Sequence, residues 1–497
     1  MKKVNALTSV LVTFAVLLAG CSGNNDKPSA SSSAPESAPA SSASASSSAS
    51  GSAESDVYPE NGLSKSEKVT LKMGYWESGS GRAWMDRAVE KFTAKYPNVE
   101  FDITSSPTLE TILEPKIAAG DDNDMFDLFI PRFSGANQHE RLVTAGKLEP
   151  LDDLWERELP GESGKTLRSV ISDDAYEATV SLGYTARLPV AGYTAGLFFD
   201  QKLFEEKGWN KNPATWDEFV ALLDQIKSDG VIPITFPGVY SGYLTDYVFN
   251  ILQFDLAKAN GNFDTYLQNF RSFTGPQLTT PENKEAWSRM YDFGKKGYFP
   301  SGVAALNHTQ SQMQVLQHKA ALVATGDWVG NEMKNATPEG FTWGFMAVPA
   351  VNDVNQTIFV NSGISDIAFM IWKNKPELNK QWAKEFVISL YDFDIQTAIA
   401  SEAGAYPARL DFGDDAARTE KLQPTQAAVM AYSSARNVQY ISYRRDFGLT
   451  SPENGTADKM LSELITAVAT GKKDPAPVLE EAEKLKQTAI EKDRPKS

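Results

Sequence analysis

Between residues 196 and 230 apolar blocks alternate with complete punctuation. Leu197, Phe198 and Phe199 form a short apolar run that predicts a buried strand, and Asp200 is placed to cap a helix that Gly208 stops. Thr215 and Glu218 have capping-box spacing, and Trp216, Phe219, Val220, Leu223 and Ile226 then recur at helical spacing before Lys227 and Gly230 close the helix. Upstream, residues 69–76 alternate as a strand, and Trp84, Met85, Ala88, Val89, Phe92 and Tyr96 mark one helical face that Pro97 ends. A strand over 99–103, a helix over 109–119, an acidic turn at 121–124 and a strand over 126–130 complete a β-α-β-α-β order. That order predicts a largely parallel sheet, with ligands beyond the carboxyl ends of its strands. Trp76-Glu77 and Arg132-Phe133 stand at two such ends.

Downstream, 232–236 reads as a strand, and Tyr240, Tyr243 and Tyr247 crowd the Gly-rich turn that follows. Tyrosine offers a flat apolar face and a hydroxyl, the combination a sugar ring requires; packing between lobes is the other reading. Asp246, one turn along from Tyr243, either binds a ligand or pairs locally. Residues 320–328 form a strand ending at Gly326-Asp327-Trp328, and 361–371 a loop and a buried strand that carry Asn361 and Asp366. A helix with Trp382, Phe386, Val387 and Leu390 leads to Tyr406-Pro407-Ala408-Arg409. Arg409 either faces a cleft or pairs with a surface carboxylate. The charged helix over 475–492 is expected to pack only.

The N-terminus changes the picture of where the chain works. Lys2 and Lys3 precede an apolar run from 4 to 18, the length of a signal-peptide core and short for a membrane span. It ends at Leu18-Ala19-Gly20-Cys21, which resembles the bacterial lipobox, so residues 1–20 are expected to be removed and Cys21 lipidated. From 22 to about 55 the chain is Ser, Ala, Gly and Pro, unable to bury enough apolar area to order itself. Residues 21–68 therefore read as an anchor and tether of roughly 35 to 40 Å root-mean-square span.

Composition removes several classes of function. The formal charge of −16 opposes general nucleic-acid binding. Cys21 is the only cysteine, and the three histidines, His139, His308 and His318, are scattered, which argues against zinc and thiol chemistry. No cofactor and no metal are expected. Gly161-Glu162-Ser163-Gly164-Lys165-Thr166 imitates a phosphate loop, but the position that needs the first Gly holds Leu159, so it reads as a surface loop. The acids near Asp121 miss calcium-loop spacing at Met125.

Several motifs share a family pattern: Gly196-Leu197-Phe198-Phe199-Asp200 with Lys202, Phe204-Glu205, Gly208-Trp209 and Thr215-Trp216-Asp217-Glu218-Phe219; Tyr96-Pro97-Asn98-Val99; Ala118-Ala119-Gly120-Asp121; Gly146 to Leu151; and Ala320-Ala321 through Gly326 to Trp328. Together they resemble family 1 extracellular solute-binding proteins, the receptors of carbohydrate ABC importers. Phe199 stands where that family usually has Tyr, and His318-Lys319 replace a usual Gly. Val239-Tyr240-Ser241-Gly242-Tyr243, 328–334 and 338–349 are similar to the N-acetylglucosamine and diacetylchitobiose receptors within it. The resemblance implies an α/β, two-lobed periplasmic-binding-protein-like fold with a hinge and an interlobe ligand cleft. The lobes are expected over 69–190 plus 305–350 and over 191–304 plus 351–497, with hinge crossings near Tyr193, Ala304 and Val348. In the family the Trp at the end of the strand from Ala320 often stacks on the bound sugar, which implies that role for Trp328; Trp76, Tyr240 and Tyr243 are the other expected stacking residues, Glu77, Arg132, Asp246, Asp327, Asn361 and Asp366 the hydrogen-bonding candidates, with Phe133, Tyr406 and Arg409 nearby. The expected partners are a mono- or oligosaccharide, ABC permease subunits and the membrane through the lipid, with no nucleic acid, for a monomer on the outer face of the cytoplasmic membrane. The rival is an anchored glycoside-cleaving enzyme, which needs two carboxylates flanking the scissile bond, and no pair is singled out. A non-sugar solute in the same fold is the other alternative.

Overall fold

The computed structural model describes residues 56–495, except 78, 134–137, 182 and 365–366. The signal segment, Cys21, most of the tether and Asp366 lie outside the described residues. Of the segment read as tether, 56–68 is folded. Val57 bridges to Ser64, and the Tyr58 ring meets Tyr96 at 4.8 Å and Trp382 at 5.8 Å, so the folded body starts some dozen residues before the expected Val69.

Two sheets form the frame. The first runs Val99–Ser106, Val69–Trp76, Leu128–Phe129, Ala368–Ile371, Leu188–Pro189. Its first three strands are parallel, as the β-α-β-α-β order predicts, and the last two join antiparallel. Gly74 in the central strand leaves room for Phe126, whose ring lies 2.7 Å from where a Cβ would stand. Trp84, Met85, Phe92 and the helix Glu377–Ser389 cover one face; Leu113, Phe126, Leu142 and Trp372 cover the other.

The second sheet runs Ile232–Thr235, Ala320–Gly326, Ala191–Asp200, Ile358–Ile364, Val438–Ile441, and Trp343–Met346 and Tyr406–Pro407 also pair with Ala191–Asp200. The local punctuation around it is as read. Asp200 accepts from the Lys202 amide at 3.1 Å, Gly208 ends that helix at φ 65°, and the Thr215 hydroxyl accepts from the Glu218 amide at 3.2 Å. The Glu218 carboxylate reaches one residue further than a capping box requires, to the Ala214 amide at 2.7 Å. Residues 161–166, expected as a surface loop, fall in a short hairpin of Glu158–Leu159 with Glu162–Thr166.

The lobe boundaries need correction. Residues 305–350 belong with the second lobe, because Ala320–Gly326 pairs with Ile232–Thr235 and Ala191–Asp200, and Trp343–Met346 with Ala191–Asp200. Residues 367–405 belong with the first, since Ala368–Ile371 joins its sheet and Trp382, Phe386 and Ile399 fill its core. The chain crosses at 190–191, 364–367 and 405–406, not near Ala304 or Val348; two of these crossings pair as hinge strands with Ala191–Asp200.

Candidate functional site

The carboxyl ends of strands from both sheets meet in a cleft. On the first lobe, Trp76 closes its strand, half-buried, its indole N–H donating to the Pro107 carbonyl at 3.0 Å. The Arg132 guanidinium lies 4.3 Å from the Trp76 ring centroid, a cation–π contact that holds ring and charge together. Beside them the Glu77 carboxylate accepts from the Ser105 hydroxyl at 2.5 Å. Phe133 packs instead on the first lobe's core.

On the second lobe, Trp328 is the centre. Its ring lies over Gly326, where a Cβ would come within 2.1 Å of it, so only glycine at 326 permits this position. Tyr193, Tyr243 and Tyr247 approach it edge-on at 5.8, 6.1 and 6.0 Å, the T-shaped geometry that ring quadrupoles favour. Tyr240 is 52% exposed and stacks on His308 at 4.2 Å and 7°, and Tyr243 meets the same imidazole at 4.8 Å. His308 escaped the sequence reading, which weighed histidines only as metal ligands. The signal available was Asn307, whose side chain caps the helix His308–Leu316 and sets His308 at its mouth. Burial, aided by the charge of Arg132 on the other lobe, pushes the imidazole below its ordinary value, so it is neutral at pH 7. Its Nε2 is buried without a hydrogen-bond partner.

Asp246 lies in the π-helical turn Thr245–Phe249, a distortion that re-aims side chains and recurs at functional sites. Its carboxylate accepts from the Thr245 hydroxyl and the Asn250 amide at 3.3 and 3.2 Å; desolvation outweighs these bonds and pushes its pKa up to about 6. The backbone carbonyl of Asp246 accepts from Asn361 at 3.1 Å and from the Tyr443 hydroxyl at 2.7 Å. The lobes touch where Asn331 donates to the Gly79 carbonyl at 2.5 Å, so the cleft is shut.

Three predicted polar groups do not face this cleft. Asn361 is 1% exposed and holds the Asp246 turn. Asp327 is 1% exposed, accepts from the Thr194 amide at 3.2 Å, and is kept well above the usual carboxylate range by burial, whereas Trp328, the next residue in the turn beyond the strand, is half-exposed. Arg409 is buried, forks onto Glu162 at 2.5 and 2.9 Å and onto Asp411 at 2.8 Å, and lies 3.6 Å from the Phe393 ring centroid. Tyr406 belongs to a hinge strand and donates to the Gln426 carbonyl at 2.8 Å.

The Arg409 network carries an acid signature. Burial raises the Asp411 carboxyl, but bonds from Arg409 and Lys165 outweigh it and hold it down at about 2. A depressed carboxylate contributes stability that is whole above its unfolded value near 4 and is lost as pH falls toward 2. Asp411→Asn should therefore melt below the unsubstituted protein at pH 7, and the gap should narrow between pH 4 and 2; a gap constant with pH would contradict this.

Comparison with known proteins agrees with this architecture. The chain is 22% identical over 65% of its length to a multiple sugar-binding protein of Streptococcus mutans, covering 71% of that protein. It is 23% identical over 58% of its length to the diacetylchitobiose binding protein NgcE of Streptomyces coelicolor, of which it spans 60%. A solved chitin oligosaccharide binding protein superposes with a TM-score of 0.64 at 20% identity, over 85% of this chain and 99% of the other. Residues 75–396, well over half of the chain, match the pattern of one family, and the protein belongs to the bacterial extracellular solute-binding proteins.

Proposed function

We propose that the protein captures a neutral sugar or short oligosaccharide between its lobes and delivers it to the permease of an ABC importer. The observation that carries this reading is the aromatic cluster around Trp328, opposed across the cleft by Trp76 and Arg132. Aromatic faces take the apolar C–H faces of a sugar ring, and Glu77, Arg132, Asp246 and His308 supply acceptors and donors for its hydroxyls. Contacts made to both lobes at once stabilise closure, and closure is the signal a permease reads. Relatives named for sugars and for diacetylchitobiose favour a carbohydrate over other solutes. Capture without cleavage is the reading, because the family is one of solute-binding proteins. Lipidation of Cys21 would hold this monomer to the outer face of the cytoplasmic membrane, with the Ser/Ala tether giving reach.

The test is melting of the protein with N-acetylglucosamine, diacetylchitobiose and a panel of neutral and acidic oligosaccharides, with the sugar recovered and chromatographed. At a hundred times Kd a native-state ligand adds about 2.7 kcal/mol, a readable rise. Intact sugar with a rise supports capture; cleaved sugar indicates the enzyme; no rise with any sugar leaves a non-carbohydrate solute.

A further inference from the structure

A cavity of about 590 Å³ lies at the hinge, on the side away from Trp328. Side chains alternate along Ala191–Asp200: Tyr193 turns toward Trp328, whereas a Cβ on Gly192 would point at Tyr406, 4.0 Å away. Gly192, Thr194 and Tyr406 line the cavity, and so does Tyr193, so the strand Ala191–Asp200 is a wall shared by the cavity and the aromatic cluster. Its walls come from both lobes, with Ile171, Ser172 and Ala178 from the first and Met430, Tyr440 and Ser442 from the second.

Large apolar side chains left in solvent are few among the described residues, yet three gather at this cavity: Leu410 at 63%, Met430 at 42% and Tyr440 at 48% exposure. Serine and threonine hydroxyls interrupt that apolar lining, and no lysine or arginine is among the lining residues. The one acid, Asp173, is paired with Arg168. Beneath the floor, Asp327 keeps one buried carboxylate oxygen without a partner. This chemistry suits a compact neutral molecule with a ring and a hydroxyl, and it disfavours anions.

The cavity is also coupled to the cleft by geometry. A rotation about the hinge strands that opens the cleft in front narrows the space behind them. With the front shut by Asn331 on Gly79, the rear stands open. We propose that the rear cavity is a second binding site, for a ring-bearing alcohol or phenol, whose occupancy favours lobe closure and so tightens capture on the other side of the hinge. Only the coupling, not the site, rests on the sugar reading above. By linkage the front ligand must tighten the rear one by the same factor.

The experiment titrates 4-methylphenol into the full chain without sugar, read by saturation-transfer NMR and by small-angle scattering. Saturable binding is expected, with the radius of gyration falling to that of the closed form. The paired exposed substitutions Leu410→Ala and Met430→Ala, which touch no core, should weaken it roughly tenfold. Ala178→Trp, which fills the cavity, should remove it, whereas Trp328→Ala should leave it intact. With sugar present, 4-methylphenol should lower the sugar Kd. Absence of saturable binding, binding unmoved by the rim pair, or competition with sugar would overturn the proposal. If no sugar binds but 4-methylphenol still saturates and the rim pair still weakens it, the rear site stands and the carbohydrate reading falls.

Discussion

Replacing Trp328 by alanine should lower sugar affinity by about thirtyfold or more while leaving the melting of the unliganded protein nearly unchanged. A central aromatic anchor typically accounts for at least about 2 kcal/mol of binding, and three tyrosine edges hold this ring in place. The cost to folding is small because the indole is already half-exposed. Gly326→Ala separates position from identity. The added methyl would stand 2.1 Å from the ring, so Trp328 must move although it is still present. A similar affinity loss in Gly326→Ala is expected, read by titration calorimetry. Unchanged affinity in both variants would mean that the ligand does not stack here.

Arg409→Ala should do the reverse, costing stability and sparing affinity. The guanidinium is fully buried, with Glu162 and Asp411 on its fork and Phe393 beneath it. Removing one member of a buried charged network costs roughly 3 to 5 kcal/mol, since the remaining charges lose their compensation. Here the lower end is expected, because Glu162 and Asp411 retain 23% and 19% side-chain exposure and can take up water. Denaturant unfolding gives the loss, and sugar titration of the folded variant should give the unsubstituted Kd. A weakened Kd with unchanged stability would return Arg409 to the cleft.

These two residues also show what the chain makes legible. Caps and turns are local, and so Asp200, Gly208 and Thr215 can be read directly from their neighbours. Trp328 is expected in the site through the family resemblance of the run from Ala320 to Trp328, not through any local rule. Sheet membership is not local. Ala320–Gly326 is buried at every position, so its pattern states that it is internal without stating which sheet takes it. The pattern over 305–350 therefore does not reveal that the second lobe takes it. Polar residues near an expected cleft carry the same ambiguity, because type and position do not reveal which way a side chain turns at a strand end. Asp327 and Trp328 are adjacent and diverge, and Arg409, besides its near neighbour Asp411, finds Glu162 across a stretch of chain that no periodicity links.

On the proposed function a sugar is bound intact between the two aromatic walls. Titration calorimetry of a neutral oligosaccharide into the protein, with the sugar chromatographed afterwards, tests it most directly. One saturable site, heat lost in Trp328→Ala, and sugar recovered uncleaved are the predicted result. Cleaved sugar, or binding that survives the loss of Trp328 undiminished, would contradict it.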